Sequence, residues 1–96
     1  MLYLVSYDVS DDNCRRHVME ALKDFGRRVQ FSVFECNLDK SALDELMGRL
    51  EPEIDPATDS CRLYRLCETC AGEVRILGRG DRYSEPDFFI VLPPRD

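Results

Sequence analysis

The first ten residues, Met1 to Ser10, constrain the fold of this chain more than any other stretch. Seven of the ten are apolar or aromatic, and neither Gly nor Pro interrupts them. Such a run is typical of a strand buried on both faces, so it predicts a central strand over about residues 2–9. Asp8 is the odd residue. A carboxylate at the end of a buried strand needs a cation, a donor or water, which leaves two interpretations: a solvent-facing turn residue or a site residue.

The length of 96 residues suits one domain and not two. Charged residues make up 33% and hydrophobic residues 44% of the chain, as in an ordinary soluble globular protein. No apolar run approaches the roughly 20 residues of a membrane span, and the short apolar start lacks the basic residues of a signal peptide. We therefore expect a cytoplasmic protein with a single domain over residues 1–92 and a tail over 93–96.

The cysteines are odd in number, which argues against a disulfide framework in a cytosolic chain. Cys14 falls on an apolar helical stripe and Cys36 within a strand, where a free thiol packs as a small hydrophobic group. Cys67 and Cys70 form a single CxxC motif. A structural zinc site needs four ligands, so we expect a turn with incidental thiols; a metal site shared between two subunits, or a redox role, is the alternative.

The charge is unevenly distributed, although the net charge is −6. Residues 39–59 are strongly acidic, whereas residues 60–82 carry five arginines and a small positive balance. Arginine far outnumbers lysine, and its planar guanidinium suits bidentate contact with phosphate or carboxylate. Phosphate binding and ordinary solvated Arg–Glu pairs therefore remain equal alternatives at this stage.

Two amphipathic helices are predicted. Apolar residues recur at helical spacing over residues 11–25, and Gly26 is placed to end that helix. His17 lies at the border of its apolar stripe, where we expect a packed or solvated residue rather than a ligand. Asp39 is placed to cap a second helix whose apolar positions are Leu43, Leu46, Met47 and Leu50.

The remaining segments predict strands. Residues 29–37 alternate as one strand, with Val29, Phe31 and Val33 on one face and Gln30, Ser32, Phe34 and Cys36 on the other. The second face combines polar groups with a large aromatic, which suggests cover by another protein surface. Further strands are predicted over residues 61–66, 73–77 and 87–92, with residues 67–72 as a turn.

This order of elements predicts an α+β fold. We expect a ferredoxin-like β-α-β-β-α-β-type sandwich with two helices on one face of a mainly antiparallel sheet and an extra C-terminal strand. The other face of the sheet needs a cover, so we expect a face-to-face homodimer.

Three segments in order resemble the CRISPR-associated protein 2 family, the small subunit of the spacer-acquisition machinery. They are the strand over residues 2–9, the helix start Asp11-Asp12-Asn13-x-Arg15, and the run Arg28-Val29-Gln30-Phe31-Ser32-Val33-Phe34-Glu35. Each segment alone is a weak signal, but together they cover a chain of the family's length, from Met1 to about Leu92.

The resemblance implies a dimeric subunit in which Asp8 of each chain is a magnesium ligand near the dimer axis. It implies Arg15 and Arg28 as catalytic candidates and places Tyr7, Ser32 and Phe34 near the site. His17 stands where the family can carry another Arg. The residues expected to bind nucleic acid are all arginines: Arg15, Arg16, Arg27, Arg28, Arg62, Arg65, Arg75, Arg79 and Arg82.

Two functions follow from this resemblance. The first, which we favour, is a scaffold that binds duplex prespacer DNA and bridges the integrase subunit, CRISPR-associated protein 1. The second is a magnesium-dependent endonuclease that cleaves RNA or duplex DNA and uses Asp8. Mg²⁺ needs only one or two carboxylates as protein ligands. A single Asp is nevertheless a minimal set of catalytic residues for a nuclease. A further alternative is a metal-free pair of Asp8 residues that opens and closes the dimer with pH. Another is a small-ligand module of the same fold, which the fold alone permits. The segment Gly78-x-Gly80 is too short to indicate a phosphate-binding loop for such a ligand.

Overall fold

The computed structural model describes residues 1–73, 75–77, 84–85 and 88–89. Its main elements are β1 (Leu2–Asp8), α1 (Asp12–Phe25), β2 (Gly26–Gln30), β3 (Val33–Asn37), α2 (Lys40–Leu50), a 3₁₀ turn (Glu51–Glu53), β4 (Ser60–Leu66) and α3 (Glu68–Gly72). Two short strands, β5 (Ser84–Glu85) and β6 (Phe88–Phe89), pair with each other. No helix within the described part of the chain is long and apolar enough to cross a membrane.

The main sheet has the strand order β2-β3-β1-β4, with every neighbouring pair antiparallel. β1 is a central strand, as its apolar sequence predicts. This strand order, with one helix after β1 and another after β3, is that of the ferredoxin-like fold. The predicted fold class is therefore confirmed.

Both long helices pack on one face of this sheet. Val5 of β1 pairs with Phe34 of β3 and with Leu63 of β4, so these three side chains share the face toward the helices. Tyr7, Phe34 and Cys36 from the sheet form one buried cluster with the apolar stripes of the helices, which supply Val18, Ala21, Leu22, Leu46 and Leu50. The core thus lies between the sheet and the helix layer.

Side chains fix where the two long helices begin. The Asp11 carboxylate accepts a hydrogen bond from the Cys14 amide at 2.9 Å, and the Asp39 carboxylate accepts one from the Ala42 amide at 2.7 Å. Each satisfies an amide that lacks a partner within its helix. Gly26 ends α1, and a Cβ there would collide with the backbone of Glu35 and Cys36 in β3. Both predicted helices are confirmed.

The prediction of a single strand over residues 29–37 was wrong. The chain reverses at Phe31 and Ser32, so that β2 and β3 form a hairpin with Arg28 opposite Phe34 and a bulge between Arg28 and Gln30. The Arg28 guanidinium donates to the Phe31 carbonyl from Nε at 3.0 Å and from Nη2 at 2.6 Å. A side chain therefore holds a turn that contains no Gly, Pro, Asn or Asp.

Phe34 is a core residue and not part of a surface covered by a partner. Its side chain is fully buried, whereas Phe31 at the tip of the hairpin is 77% exposed. The reversal explains the difference, because each strand of the hairpin has its own alternation of faces. The predicted pairing of Phe34 with a polar outer face was wrong.

The C-terminal part differs from the sequence-based expectation. Residues 68–72 form the short helix α3 and not a plain turn, and Glu73 and residues 75–77 are not in a strand, so the strand predicted over 73–77 was wrong for these residues. Only Phe88 and Phe89 of the strand predicted over 87–92 are described, and they pair with β5. Arg79, Arg82, the Gly78-x-Gly80 segment, the domain end at residue 92 and the tail over 93–96 lie outside the described residues.

Candidate nucleic-acid and metal site at the end of β1

Asp8 is the last residue of β1, and its side chain is exposed. Side chains alternate along a strand, so Asp8 lies on the face of the sheet opposite α1 and α2, while its neighbour Tyr7 points into the core. Ser60, at the start of β4, is its register partner. The carboxylate is therefore free to face a ligand, a second chain or solvent.

The turn of the β2–β3 hairpin lies beside this end of β1. The Tyr7 amide donates to the Ser32 carbonyl at 3.1 Å, and the Tyr7 hydroxyl donates to the Phe31 carbonyl at 3.5 Å. The Tyr7 ring also lies 6.3 Å from the Phe34 ring, centroid to centroid. Tyr7, Ser32 and Phe34 are thus brought together next to Asp8, and Tyr7 and Phe34 support the site from inside the core.

Arg15 folds back from α1 toward the end of β1. Its Nη1 donates to the Val9 carbonyl at 3.1 Å, and its Nη2 forms an ion pair with Asp12. These contacts hold the guanidinium beside the segment that follows Asp8. Its side chain remains 38% exposed, so part of the guanidinium can still reach a phosphate.

Arg28 reaches the same region from the hairpin. Besides holding the Phe31 carbonyl, its guanidinium lies over the Phe31 ring, 5.0 Å from the ring centroid. Burial raises the pKa of the Tyr7 hydroxyl, and the positive charges of Arg28 and Arg15 oppose that rise. Both guanidinium groups thus lie near the Tyr7 hydroxyl at the end of β1.

Asp59 belongs to this region but was not predicted from the sequence. Its carboxylate accepts hydrogen bonds from the Ser10 and Asp55 amides, both at 3.0 Å, and these bonds lower its pKa. It ties the loop before β4 to the segment that follows Asp8. An acidic residue among Pro, Thr and Ser gave a general turn signal, but nothing in the sequence identified Ser10 as its partner.

A metal at this position would have few protein ligands from one chain. The described residues contain no group of three or more His, Cys, Asp or Glu side chains that could hold a metal ion. Asp8 offers one exposed carboxylate. Magnesium retains several waters and accepts one or two carboxylates, so a pair of Asp8 residues from two chains could hold this ion. The described residues of one chain do not provide the ligands for a cluster of several metal ions.

The predicted nucleic-acid-binding arginines fall into separate groups. Arg15 and Arg28 lie at the end of β1. Arg62 and Arg27 lie on the same sheet face as Asp8, where Arg62 is exposed opposite Ser6 and Arg27 is opposite Glu35. Arg16 pairs with Glu20 on α1, and Arg65 and Arg75 are exposed elsewhere. His17 is exposed, which agrees with the expectation of a packed or solvated residue, and its Nδ1 lies 2.8 Å from the Glu53 carboxylate.

Glu35 is a second residue that sequence reasoning missed. It lies on the face opposite the helices, next to Leu4 and Arg27 in register, yet it is only 7% exposed. Its Oε1 has no hydrogen-bond partner among the residues that the structure describes. Burial raises the pKa of this carboxyl, and the Arg27 charge opposes that rise. A carboxyl within an alternating strand looks like a surface residue from sequence, so only the packing identifies it.

Comparison with known proteins decides the family. A sequence profile described as CRISPR associated protein Cas2 matches residues 1–74. The chain belongs to this family. It is 42% identical over 91 residues to "CRISPR-associated endoribonuclease Cas2 3" of Chloroflexus aurantiacus, and this alignment covers 95% of this chain and 98% of the relative. It is also 43% identical over 79 residues to "CRISPR-associated endonuclease Cas2 2" of Thermus thermophilus, covering 82% of this chain and 83% of the relative.

A solved structure agrees with this assignment. Cas2 of Streptococcus pyogenes, in a crystal structure at pH 6.5, superposes with a TM-score of 0.71 at 38% sequence identity, covering 81% of this chain and all of that one. Family membership and fold thus agree with the resemblance carried by the three sequence segments around Asp8, Arg15 and Arg28.

Proposed function

We propose that the protein acts as a homodimeric scaffold in CRISPR adaptation, holding duplex prespacer DNA and bridging the integrase subunit, CRISPR-associated protein 1. The observation that carries this proposal is that Asp8 is an exposed carboxylate at the end of β1, while Arg15 and Arg28 lie near the same strand end on the side of α1. The two guanidinium groups can bind a phosphate backbone, whereas metal-dependent phosphodiester hydrolysis commonly uses more ligands than one carboxylate from each chain.

The sheet face opposite α1 and α2 supports the homodimer. On it lie Leu4 and Val33, which are half-buried, and Tyr64, which is 46% exposed. Apolar and aromatic groups on a flat sheet face suit burial against a second copy, and a two-fold axis there would bring the two Asp8 residues toward each other.

Arg65 tests the DNA-binding part of this proposal, because it is exposed on the edge strand β4 and does not lie on the face proposed to be buried in the dimer. Fluorescence anisotropy with a labelled duplex at several salt concentrations should show affinity falling steeply with salt, by a slope of roughly 0.9 per phosphate contact. Arg65→Gln should reduce that slope, while Arg49→Gln, which removes an arginine of α2 paired with Asp24, serves as the matched control. Absence of duplex binding at low salt would contradict the proposal.

A second candidate function is a magnesium-dependent endonuclease, either an endoribonuclease or a duplex DNase. The names of the two relatives, an endoribonuclease and an endonuclease, favour it. Asp8 would hold the Mg²⁺ together with its twin, and Arg15 and Arg28 would bind the phosphate and stabilise its developing charge. The ion would supply Lewis-acid activation of the scissile phosphate.

Cleavage assays of the purified protein distinguish the two candidates. The endonuclease candidate predicts cleavage of single-stranded RNA or duplex DNA that requires Mg²⁺ and is abolished by EDTA and by Asp8→Asn. Asp44→Asn removes an exposed aspartate of α2 that pairs with Lys40, and it should leave cleavage unchanged. Cleavage that persists in Asp8→Asn would rule out the Asp8 mechanism.

A further inference from the structure

Cys67 and Cys70 form a close thiol pair that the proposed function does not use. Cys67 directly precedes α3 and Cys70 lies in its first turn, where the Cys67 Sγ accepts a hydrogen bond from the Cys70 amide at 3.4 Å. Both thiols are free and exposed, so small reagents can reach them.

The two thiols differ in acidity because of this geometry. The hydrogen bond from the Cys70 amide lowers the pKa of Cys67, and the neighbouring Cys67 side chain raises the pKa of Cys70. The thiolate is the nucleophilic form of cysteine, and a resolving thiol next to it is the arrangement of redox-active pairs. Cys67 is thus suited to attack an oxidant, and Cys70 to resolve the product.

The other three cysteines lack these properties. Burial raises the pKa of Cys36 to about 12 and that of Cys61 to about 11. The pKa of Cys14 is also raised, by desolvation and by the neighbouring Asp11. The chain therefore carries internal controls, because only one cysteine pair combines exposure, proximity and an acidified thiol within the described residues.

We propose that Cys67 and Cys70 are a reversible redox site that a hydroperoxide converts to an intrachain disulfide. The Cys67 thiolate attacks one oxygen of the peroxide; an S–O bond forms, the O–O bond breaks and hydroxide or alkoxide leaves. Cys70 then attacks the sulfur of the Cys67 sulfenic acid, forming the S–S bond and releasing water. The two thiols lose two electrons to one peroxide, and a dithiol reductant returns them.

The position of the pair gives the disulfide a structural context. α3 follows the edge strand β4 and packs against both β4 and β6. A disulfide across its first turn fixes the junction between the main sheet and the small β5–β6 sheet. Oxidation thus acts on the segment that joins the two sheets and not on the Asp8 site.

Mass spectrometry of the full-length protein tests this proposal. After treatment with hydrogen peroxide and alkylation, the tryptic peptide over residues 66–75, which contains both cysteines, should lose the mass of two hydrogens, and dithiothreitol should restore it. Trypsin places Cys14, Cys36 and Cys61 on other peptides, and these should be unchanged. Disulfides found only between chains, or oxidation confined to the other peptides, would overturn the proposal.

Substitutions assign the two roles. In Cys70→Ser, Cys67 should stop at the sulfenic acid, which dimedone traps, whereas Cys67→Ser should slow peroxide consumption by about tenfold or more. Cys61→Ser is the matched control and should oxidise like the wild type. Serine caps helices well, so Cys67→Ser keeps the start of α3, and circular dichroism checks that fold. Equal peroxide rates for wild type and Cys67→Ser would refute Cys67 as the reactive thiol.

Discussion

Two phenylalanines three residues apart provide a sharp test of the hairpin. Phe34 is fully buried, whereas Phe31 is 77% exposed. A buried Phe removes about 200 Å² from water, or about 5 kcal/mol as an upper estimate at about 25 cal/mol per Å². Phe34→Ala should therefore reduce the free energy of unfolding by about 3–5 kcal/mol. Phe31 buries about a quarter as much surface, so Phe31→Ala should cost about 1 kcal/mol, including its contact with Arg28.

Equilibrium unfolding in urea measures both variants, at several protein concentrations because dimerisation would add to apparent stability. We expect a large, concentration-independent loss of unfolding free energy for Phe34→Ala. The contrary result would be a Phe34→Ala variant as stable as Phe31→Ala, or one in which only the concentration dependence of the unfolding free energy changes. Phe34 would then lie at a surface, and residues 29–37 would be better described as a single strand.

Three further predictions concern Glu35, Asp39 and Arg28. Burial raises the Glu35 pKa, so the folded state binds this proton more tightly than the unfolded state does. As the pH rises above about 4, the wild type should therefore lose unfolding free energy relative to Glu35→Gln, and equal pH profiles in urea unfolding would contradict this. Asp39→Ala should cost about 1 kcal/mol and Asp39→Asn much less, since Asn also caps; similar losses would argue against the cap. Arg28→Lys cannot hold the Phe31 carbonyl with two donors, so amide hydrogen exchange at Tyr7 should accelerate, and unchanged exchange would show that the turn holds itself.

The elements that the sequence predicted well are those with local causes. Asp11 and Asp39 cap helices whose apolar stripes repeat every three to four residues, and both effects act within one or two turns. β1 was identified from its continuous apolar run, which follows from its central place in the sheet. Asp8 was singled out because a carboxylate is unusual in such a run.

The hairpin could not be identified from turn chemistry. Residues 30–32 carry no Gly, Pro, Asn or Asp, and the turn is held by Arg28, whose role depends on contacts across the hairpin. The nine-residue alternation over 29–37 is longer than an ordinary strand of five or six residues, and that length was the available signal. The small helix α3 was missed for a related reason, because it is too short to show a period.

The sequence suggested members of the candidate site, which stay predictions, but it did not indicate their contacts. Arg15 and Arg28 were named through family resemblance, yet both bind backbone carbonyls, of Val9 and Phe31, which a sequence does not reveal. Glu35 and Asp59 were missed because their surroundings come from strands and loops distant in sequence. Tertiary contacts, and not residue type, give these groups their properties.

The central claim is that the protein works by holding DNA within a CRISPR complex, without using Asp8 to cut it. The most direct measurement is integration of a labelled duplex into a CRISPR array by the integrase subunit, CRISPR-associated protein 1, mixed with either wild-type protein or Asp8→Asn. We expect both mixtures to integrate the duplex with roughly the same yield. Loss of integration in Asp8→Asn, with dimerisation and duplex binding intact, would contradict the claim and make Asp8 chemistry essential.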